Sequence, residues 1–239
     1  MTTAPDGEPA AARDALRELV AVMDRLRSPG GCPWDAAQSH ASLLPYLLEE
    51  SHELAEAVEA DDRAGLREEL GDVLLQVVFH ARIATEHPDE PFDVDDVARD
   101  LVAKLVRRHP HVFGDAEVES MGALHSQWDR IKRAEKKDRG SALDGVPASL
   151  PALARAQKIA SRAARAGLDA PVPADDELGA QLLELVRRAH AQGVDAEGAL
   201  RRAAGAWETA LRDVEVAATA SGEEAGTTPD NPRTPDAPS

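Results

Sequence analysis

The stretch that decides this fold carries two acidic motifs, EESHE at 49–53 and EELGD at 68–72. Residues three or four positions apart lie on the same face of a helix, so each motif places carboxylates on one side of a helix. A short polar break that contains Gly65 separates the motifs, which predicts two helices folded back on each other. The acids predicted to meet between these helices are Glu50, Glu53, Glu69 and Asp72.

Four acids in one place repel each other unless a cation lies among them. Carboxylate oxygens are ligands of hard divalent ions, so Mg²⁺ is the first candidate and Mn²⁺ the alternative. The segment 73–79 is apolar almost all round, so it is predicted to be buried on most sides, and an unpaired buried carboxylate at Asp72 beside it is costly. From the residues alone, a structural polar network or a helix end explains the acids as well as a metal site does. The other acids of the two helices are interpreted as exposed surface: Glu56, Glu59 and Glu68.

Composition favours a helical, acidic protein. Hydrophobic residues make up 43% of the chain and aromatic residues only 3%, so Leu, Val and Ala must fill the core, which favours helices over sheets. The net charge of −17 argues against a nucleic-acid partner. The single cysteine, Cys32, excludes an intrachain disulfide and a Cys-rich zinc site. No secretory signal and no membrane-spanning run is visible, so we expect a soluble cytoplasmic protein without a membrane partner.

Apolar periodicity and helix-breaking residues predict helices throughout the chain. The predicted helices cover residues 10–26, 42–60, 66–86, 97–108, 120–137, 151–166, 176–191 and 196–216. The predicted organisation is a disordered N-terminus at 1–9, a first helical module at 10–137, a linker at 138–151, a second helical module at 152–216 and a disordered tail at 217–239.

Two further segments are candidates for substrate contact. Trp34 stands in the segment 31–35, which Gly and Pro predict to be a loop. Its ring either plugs the end of a helix bundle, or stacks on a nucleobase or closes a pocket. The dense basic segment contains Lys104, Arg107 and Arg108. These cations either neutralise phosphates beside the acids or complement the C-terminal dipole of their own helix.

A weaker pattern links the two halves of the chain. The segment ELGAQLL at 177–183 echoes ELGDVLL at 69–75, which indicates the remnant of a repeated module, with a chance match of a short run as the alternative. Ala180 stands in the place of Asp72, and no EExxE helix precedes the second copy. By ligand count, the second copy is not expected to build the same site.

With these residues in view, the chain closely resembles the MazG family of nucleoside triphosphate pyrophosphohydrolases. The likeness is strong over residues 16–167 and weak over 177–215, and the combination of its motifs in this order is specific. The matching segments are GCPWD at 31–35, YLLEE with Glu53 at 46–53, ELGD at 69–72, Lys104 with RRHPHVF at 107–113, and SLPAL with AQK at 149–158.

The resemblance implies an all-α fold, in which a MazG-like helical bundle module is followed by a degenerate, truncated second module and the modules pair into a homodimer. It implies Mg²⁺-dependent hydrolysis of a nucleoside triphosphate to the monophosphate and pyrophosphate, with cleansing of the nucleotide pool as the role. The family's metal ligands map onto Glu50, Glu53, Glu69 and Asp72, with Glu49 nearby. The mechanistic hypothesis is that Glu49 or Glu53 takes the proton of the attacking water or orients that water. In the same hypothesis Trp34 contacts the base, and Lys104, Arg107 and Arg108 offset phosphate charge or fix the dimer.

Two alternatives stay open. In the first, the chain is a non-catalytic helical module that uses its acids for regulation or partner contact. In the second, it is a related pyrophosphohydrolase with a narrow substrate such as dUTP or phosphoribosyl-ATP. Metal-dependent turnover on a panel of substrates separates these functions.

Overall fold

A computed structural model describes residues 15–116, 120–135, 140–172 and 177–224. The regular structure in these ranges is helical, which confirms the predicted all-α class. None of the helices in them is long and apolar enough to cross a membrane. The helices are α1 (Ala15–Arg27), α2 (Pro33–Ala37), α3 (Leu44–Glu59), α4 (Arg63–Ala84), α5 (Val94–Arg108), α6 (Pro110–Phe113), α7 (Met121–Glu135), α8 (Ala152–Ala166), α9 (Glu177–Ala191) and α10 (Ala196–Glu224).

The chain divides into two compact units, Met1–Lys132 and Arg133–Ser239. The sequence placed the linker between modules later, at 138–151, and the structure keeps α8, α9 and α10 together in the second unit. The N-terminal segment 1–9, predicted to be disordered, lies outside the described residues.

The helices extend beyond the sequence prediction in two places, at the start of α2 and at the end of α10. The prediction of a loop at 31–35 is wrong, because α2 begins at Pro33, a residue whose fixed φ suits the first turn of a helix. At the other end of the chain, α10 continues to Glu224, into the predicted disordered tail 217–239. Alanine-rich sequence has high helix propensity, which accounts for this extension.

The helices α3 and α4 form the centre of the first unit, and α1 and α5 pack against α4. A tight turn joins α3 to α4, with Asp61 in the left-handed region at φ 53° and the Asp62 side chain accepting a hydrogen bond from the Ala64 amide at 3.0 Å. The buried core consists of Met23, Leu43, Val78 and Phe79. Partly buried side chains around it are Leu19, Val20, Leu74, Leu75, Ile83 and Val94.

The middle of α4 is buried or partly buried on most sides, as predicted, with one exception. Gln76, Val78 and Phe79 are 5%, 4% and 3% exposed, and residues 73–75 are partly buried. Val77 is 42% exposed. One stripe of α4 is therefore left uncovered by the described helices of the first unit.

An arginine fixes α2 against α1 and the end of α4. The Arg27 side chain is only 7% exposed and pairs with Glu86 at 2.8 Å. It also donates to the carbonyl oxygens of Asp35 at 2.6 Å and Gln38 at 2.9 Å, both at the end of α2. The hydrogen bond from Arg27 holds the pKa of Glu86 below its ordinary value. Arg27 therefore positions the helix that carries Trp34.

The second unit consists of three helices that pack against one another. The Gln157 side chain of α8 donates to the carbonyl of Val194 at 2.7 Å and accepts from the amide of Ala196 at 2.8 Å. No acidic residue occurs in α8, and Ala180 replaces the aspartate on α9. Among the described residues, the group of clustered carboxylates suited to a metal ion lies in the first unit.

Candidate functional site

The acidic motifs meet between α3 and α4. Carboxylate oxygens of Glu50, Glu69 and Asp72 all lie within 4.8 Å of one another, and all three side chains are partly buried. Oxygen Oε2 of Glu69 is buried and has no hydrogen-bond partner among the described residues. Three carboxylates at this spacing, one of them with an orphaned oxygen, make a donor set suited to a hard divalent cation.

The carboxylates of the cluster carry like charges and repel one another. Burial raises the pKa of Glu50, and the charges of Asp72, Glu53 and Glu69 raise it further. Burial likewise raises the pKa of Glu69, followed by the charges of Glu53, Asp72 and Glu68. The folded chain holds these protons to higher pH than the unfolded chain, so the cluster destabilises the metal-free fold as pH rises above about 4.3.

The other two acids on α3 lie at the edge of this cluster. Glu53 is exposed and outside the group of three, yet its charge acts on both Glu50 and Glu69, so it lies close to them. Glu49 is exposed as well. The structure thus brings three of the four acids expected to bind metal within 4.8 Å of one another, and the fourth, Glu53, hydrogen-bonds to Glu50.

Trp34 lies on α2 beside the α3–α4 pair. Its ring makes edge contacts with Tyr46, at a centroid distance of 5.9 Å, and with Phe79, at 6.4 Å. The side chain is nevertheless 51% exposed. One edge of the ring is therefore held by the bundle while the rest faces solvent.

The basic residues Lys104, Arg107 and Arg108 occupy the end of α5, a helix that packs against α4. Beyond them, His109 donates from Nδ1 to the Leu105 carbonyl at 2.7 Å and its ring contacts Trp128 of α7 edge-on at 5.3 Å. The position suits both interpretations of the cations, since a helix C-terminus favours positive charge whatever else binds there.

Two histidines that are forty positions apart in the sequence form a pair in the first unit. Nδ1 of His40 and Nδ1 of His80 are 2.8 Å apart, and the rings are 4° from parallel. This N···N distance is that of an N–H···N hydrogen bond between imidazoles, in which one Nδ1 must carry the proton. Nε2 of His80 is buried without a partner. Because an orphaned N–H is costlier than a bare lone pair, His80 is the Nδ1–H donor.

The His40–His80 pair predicts a pH dependence of stability. Burial, and then the neighbouring His40, lower the pKa of His80. The unfolded chain takes up this proton near pH 6.5 and the folded chain only at lower pH, so stability is lost as pH falls from 6.5 toward the lowered pKa.

We expect the free energy of unfolding in urea to change less between pH 7.5 and 5.5 in His80→Phe than in the parent. His52→Phe, at an exposed histidine of α3, should keep the parental slope, and equal slopes in the parent and His80→Phe would contradict the assignment.

Sequence reasoning gave no role to the histidine pair or to Gln76. Nothing in the order of residues signals the pairing of His40 with His80, because it depends on packing between distant segments. A signal for Gln76 was present, since it is the one polar residue in the apolar run 73–79.

Comparison with known proteins places the site within a described family. Residues 38–113 match the family model of the MazG nucleotide pyrophosphohydrolase domain. This range contains all the acidic candidates and the basic end of α5, whereas Trp34 precedes it.

Similar proteins extend the match over most of the chain. An uncharacterized 26.1 kDa protein of Streptomyces cacaoi is 52% identical, over 84% of this chain and 82% of its own length. The nucleoside triphosphate pyrophosphohydrolase/pyrophosphatase MazG of Thermotoga maritima is 42% identical, over 79% of this chain and 80% of its own length. The nucleoside triphosphate pyrophosphohydrolase of Escherichia coli K12 is 39% identical, over 87% of this chain and 90% of its own length.

Proposed function

The chain belongs to the MazG nucleotide pyrophosphohydrolase family, and we propose that it hydrolyses nucleoside triphosphates to monophosphates and pyrophosphate at the α3–α4 acidic cluster. The observation that supports this function most directly is the convergence of Glu50, Glu69 and Asp72 within 4.8 Å. Removal of unwanted nucleotides from the cellular pool is the role that such an activity would serve.

A divalent cation fits these residues. Burial, and then neighbouring negative charges, raise the pKa of Glu50 and of Glu69, and Glu69 keeps a buried oxygen without a partner among the described residues. A positive ion would relieve both the repulsion and the orphaned acceptor. We assign Mg²⁺, with Mn²⁺ as a substitute, because the donor set is all oxygen. When bound, the ion supplies neutralisation of the phosphate charge and activation of water.

The protein's own groups hold and orient the reactants. Glu50, Glu69 and Asp72 would hold the ion, with Glu53 as a fourth ligand or as the group that accepts a proton from the attacking water. Glu49 is the second residue assigned to orienting that water. The attack is on the α-phosphorus, with pyrophosphate as the leaving group.

The remaining candidates contact the substrate away from the reacting phosphorus. The half-exposed ring of Trp34 offers a face for stacking on a nucleobase. Lys104, Arg107 and Arg108 offset phosphate charge or fix the contact between subunits.

Exposed apolar side chains on the first unit support a homodimer. Contiguous apolar surface on a soluble domain marks an interaction site, and a twofold symmetric pair would supply the layer that the open side of α4 lacks. The exposed residues concerned are Leu44, Leu48, Val58, Leu70, Val77, Leu101, Val102, Leu105 and Val106. The particle mass from light scattering tests this assembly.

The decisive experiment measures pyrophosphate release from a panel of ribo- and deoxyribonucleoside triphosphates, with dUTP and phosphoribosyl-ATP included. We expect release from several triphosphates with Mg²⁺ and none with EDTA. Turnover of one compound alone would favour a narrow-substrate enzyme. Absence of release from every compound, by protein that is folded and binds Mg²⁺, would contradict the proposed function.

A further inference from the structure

Gln76 is a buried polar side chain whose acceptor is unused. The residue is only 5% exposed and lies in the apolar middle of α4. Its amide oxygen Oε1 is buried without a hydrogen-bond partner among the described residues. Buried acceptors are rarely left unpaired, because burial removes the water that would otherwise satisfy them. The amide oxygen therefore requires a donor that the described residues do not supply.

The position of Gln76 indicates where this donor comes from. Gln76 follows Asp72 by one helical turn and Glu69 by two, so the three side chains share one face of α4. That face is turned toward α3, since Glu50 of α3 lies within 4.8 Å of both acids. Oε2 of Glu69 is a second buried acceptor without a partner on the same face. Two unused acceptors, Oε2 of Glu69 and Oε1 of Gln76, thus belong to the face of α4 that carries Asp72.

We propose that Oε1 of Gln76 accepts a hydrogen bond from the hydration shell of the divalent cation held by Glu50, Glu69 and Asp72, and so is a positioning residue for that ion. Small divalent cations keep several waters when proteins bind them, and these waters are hydrogen-bond donors. Partners beyond the direct ligands orient a bound ion and raise its affinity. An amide does this without adding charge to a cluster that already repels itself. The inference rests on the metal site of the proposed function, but not on turnover.

Mn²⁺ binding without nucleotide tests this role directly. Free Mn²⁺ is counted by electron paramagnetic resonance during titration of the parent, Gln76→Met, Gln76→Glu and Gln181→Met. Methionine keeps an unbranched side chain of similar length and lacks the amide acceptor. We expect the Kd of Gln76→Met to rise about tenfold or more, and that of Gln76→Glu, which keeps an acceptor, to stay at or below the parental value. Gln181, an exposed glutamine on α9, provides the matched control and should bind as the parent does.

Thermal unfolding separates a positioning role from a structural one. Without metal, Gln76→Met should melt at or above the parental Tm, because an unused buried acceptor has been removed; the rise in Tm caused by Mg²⁺ should be smaller than in the parent. A lower metal-free Tm with an unchanged Mg²⁺ effect would overturn the proposal.

The outcomes also distinguish this inference from the proposed function. Equal Mn²⁺ affinity in the parent and Gln76→Met would overturn the proposed role of Gln76 and leave the metal site standing. The same conclusion would hold if the substitution changed nucleotide affinity and not Mn²⁺ affinity. Absence of Mn²⁺ binding by the parent would overturn the metal site and this inference together.

Discussion

Asp72→Asn should lower the kcat/KM for Mg²⁺-dependent pyrophosphate release by about a hundredfold or more, since a metal ion contributes several kcal/mol to such reactions. The substitution keeps the shape of the side chain and removes one of three clustered carboxylate charges. Asp72 is the sharpest choice because it belongs to the group of three within 4.8 Å and its charge acts on both other members, Glu50 and Glu69. Initial rates at saturating and limiting nucleotide, with Mg²⁺ titrated, measure the effect.

Metal-free stability shows whether such a loss reflects the site or misfolding. Asp72 raises the pKa of both glutamates, so its neutralisation relieves repulsion and the Tm of metal-free Asp72→Asn at pH 7 should equal or exceed that of the parent. Glu56→Gln makes the same chemical change at an exposed position of α3 and should retain parental activity. Parental kcat/KM in Asp72→Asn would exclude the α3–α4 cluster as the catalytic centre.

Phe79→Ala should lower the free energy of unfolding by about 3–5 kcal/mol, the range for removal of a buried phenylalanine ring. The ring is 3% exposed and lies in the cluster with Met23, Leu43 and Val78, which joins α1 and α4 to the start of α3. The loss combines the transfer of apolar surface with the cavity that the rigid neighbours leave. Urea unfolding monitored by circular dichroism measures it.

Phe92→Ala is the matched control for this substitution. Phe92 is 48% exposed, so the same truncation removes a ring that has kept much of its contact with water. Phe92→Ala should lower the free energy of unfolding by less than half as much as Phe79→Ala does. Equal costs for the two substitutions would show that the described core does not carry the stability of the first unit.

Helix positions could be predicted from sequence because their causes are local. The alternation of apolar residues at three- and four-residue spacing depends on the chain itself, and the structure has helices where that spacing occurs. The exceptions have local or packing causes. Pro33 starts a helix where a loop was predicted, and α10 runs on to Glu224 through alanine-rich sequence.

Burial was predicted less well than helicity. The run 73–79 is apolar on nearly all sides, but Val77 faces outward with 42% exposure while Gln76 is almost fully buried. Hydrophobicity alone does not tell which stripe of a helix packs against other helices of the same chain. That depends on how many layers surround the helix, which a single helix sequence does not specify.

The sequence by itself determined that this chain is all-α, that two helices in succession carry acids on one face, and that the second copy of the ELG segment has Ala180 in the place of Asp72. Each of these follows from spacing along one helix or from the presence of a residue. Only the tertiary structure decided that Glu50, Glu69 and Asp72 come within 4.8 Å of one another, that His40 pairs with His80, and that Gln76 is buried with an unused acceptor. These depend on the rotation and offset of one helix against another, which the interlocking of side chains across the interface sets.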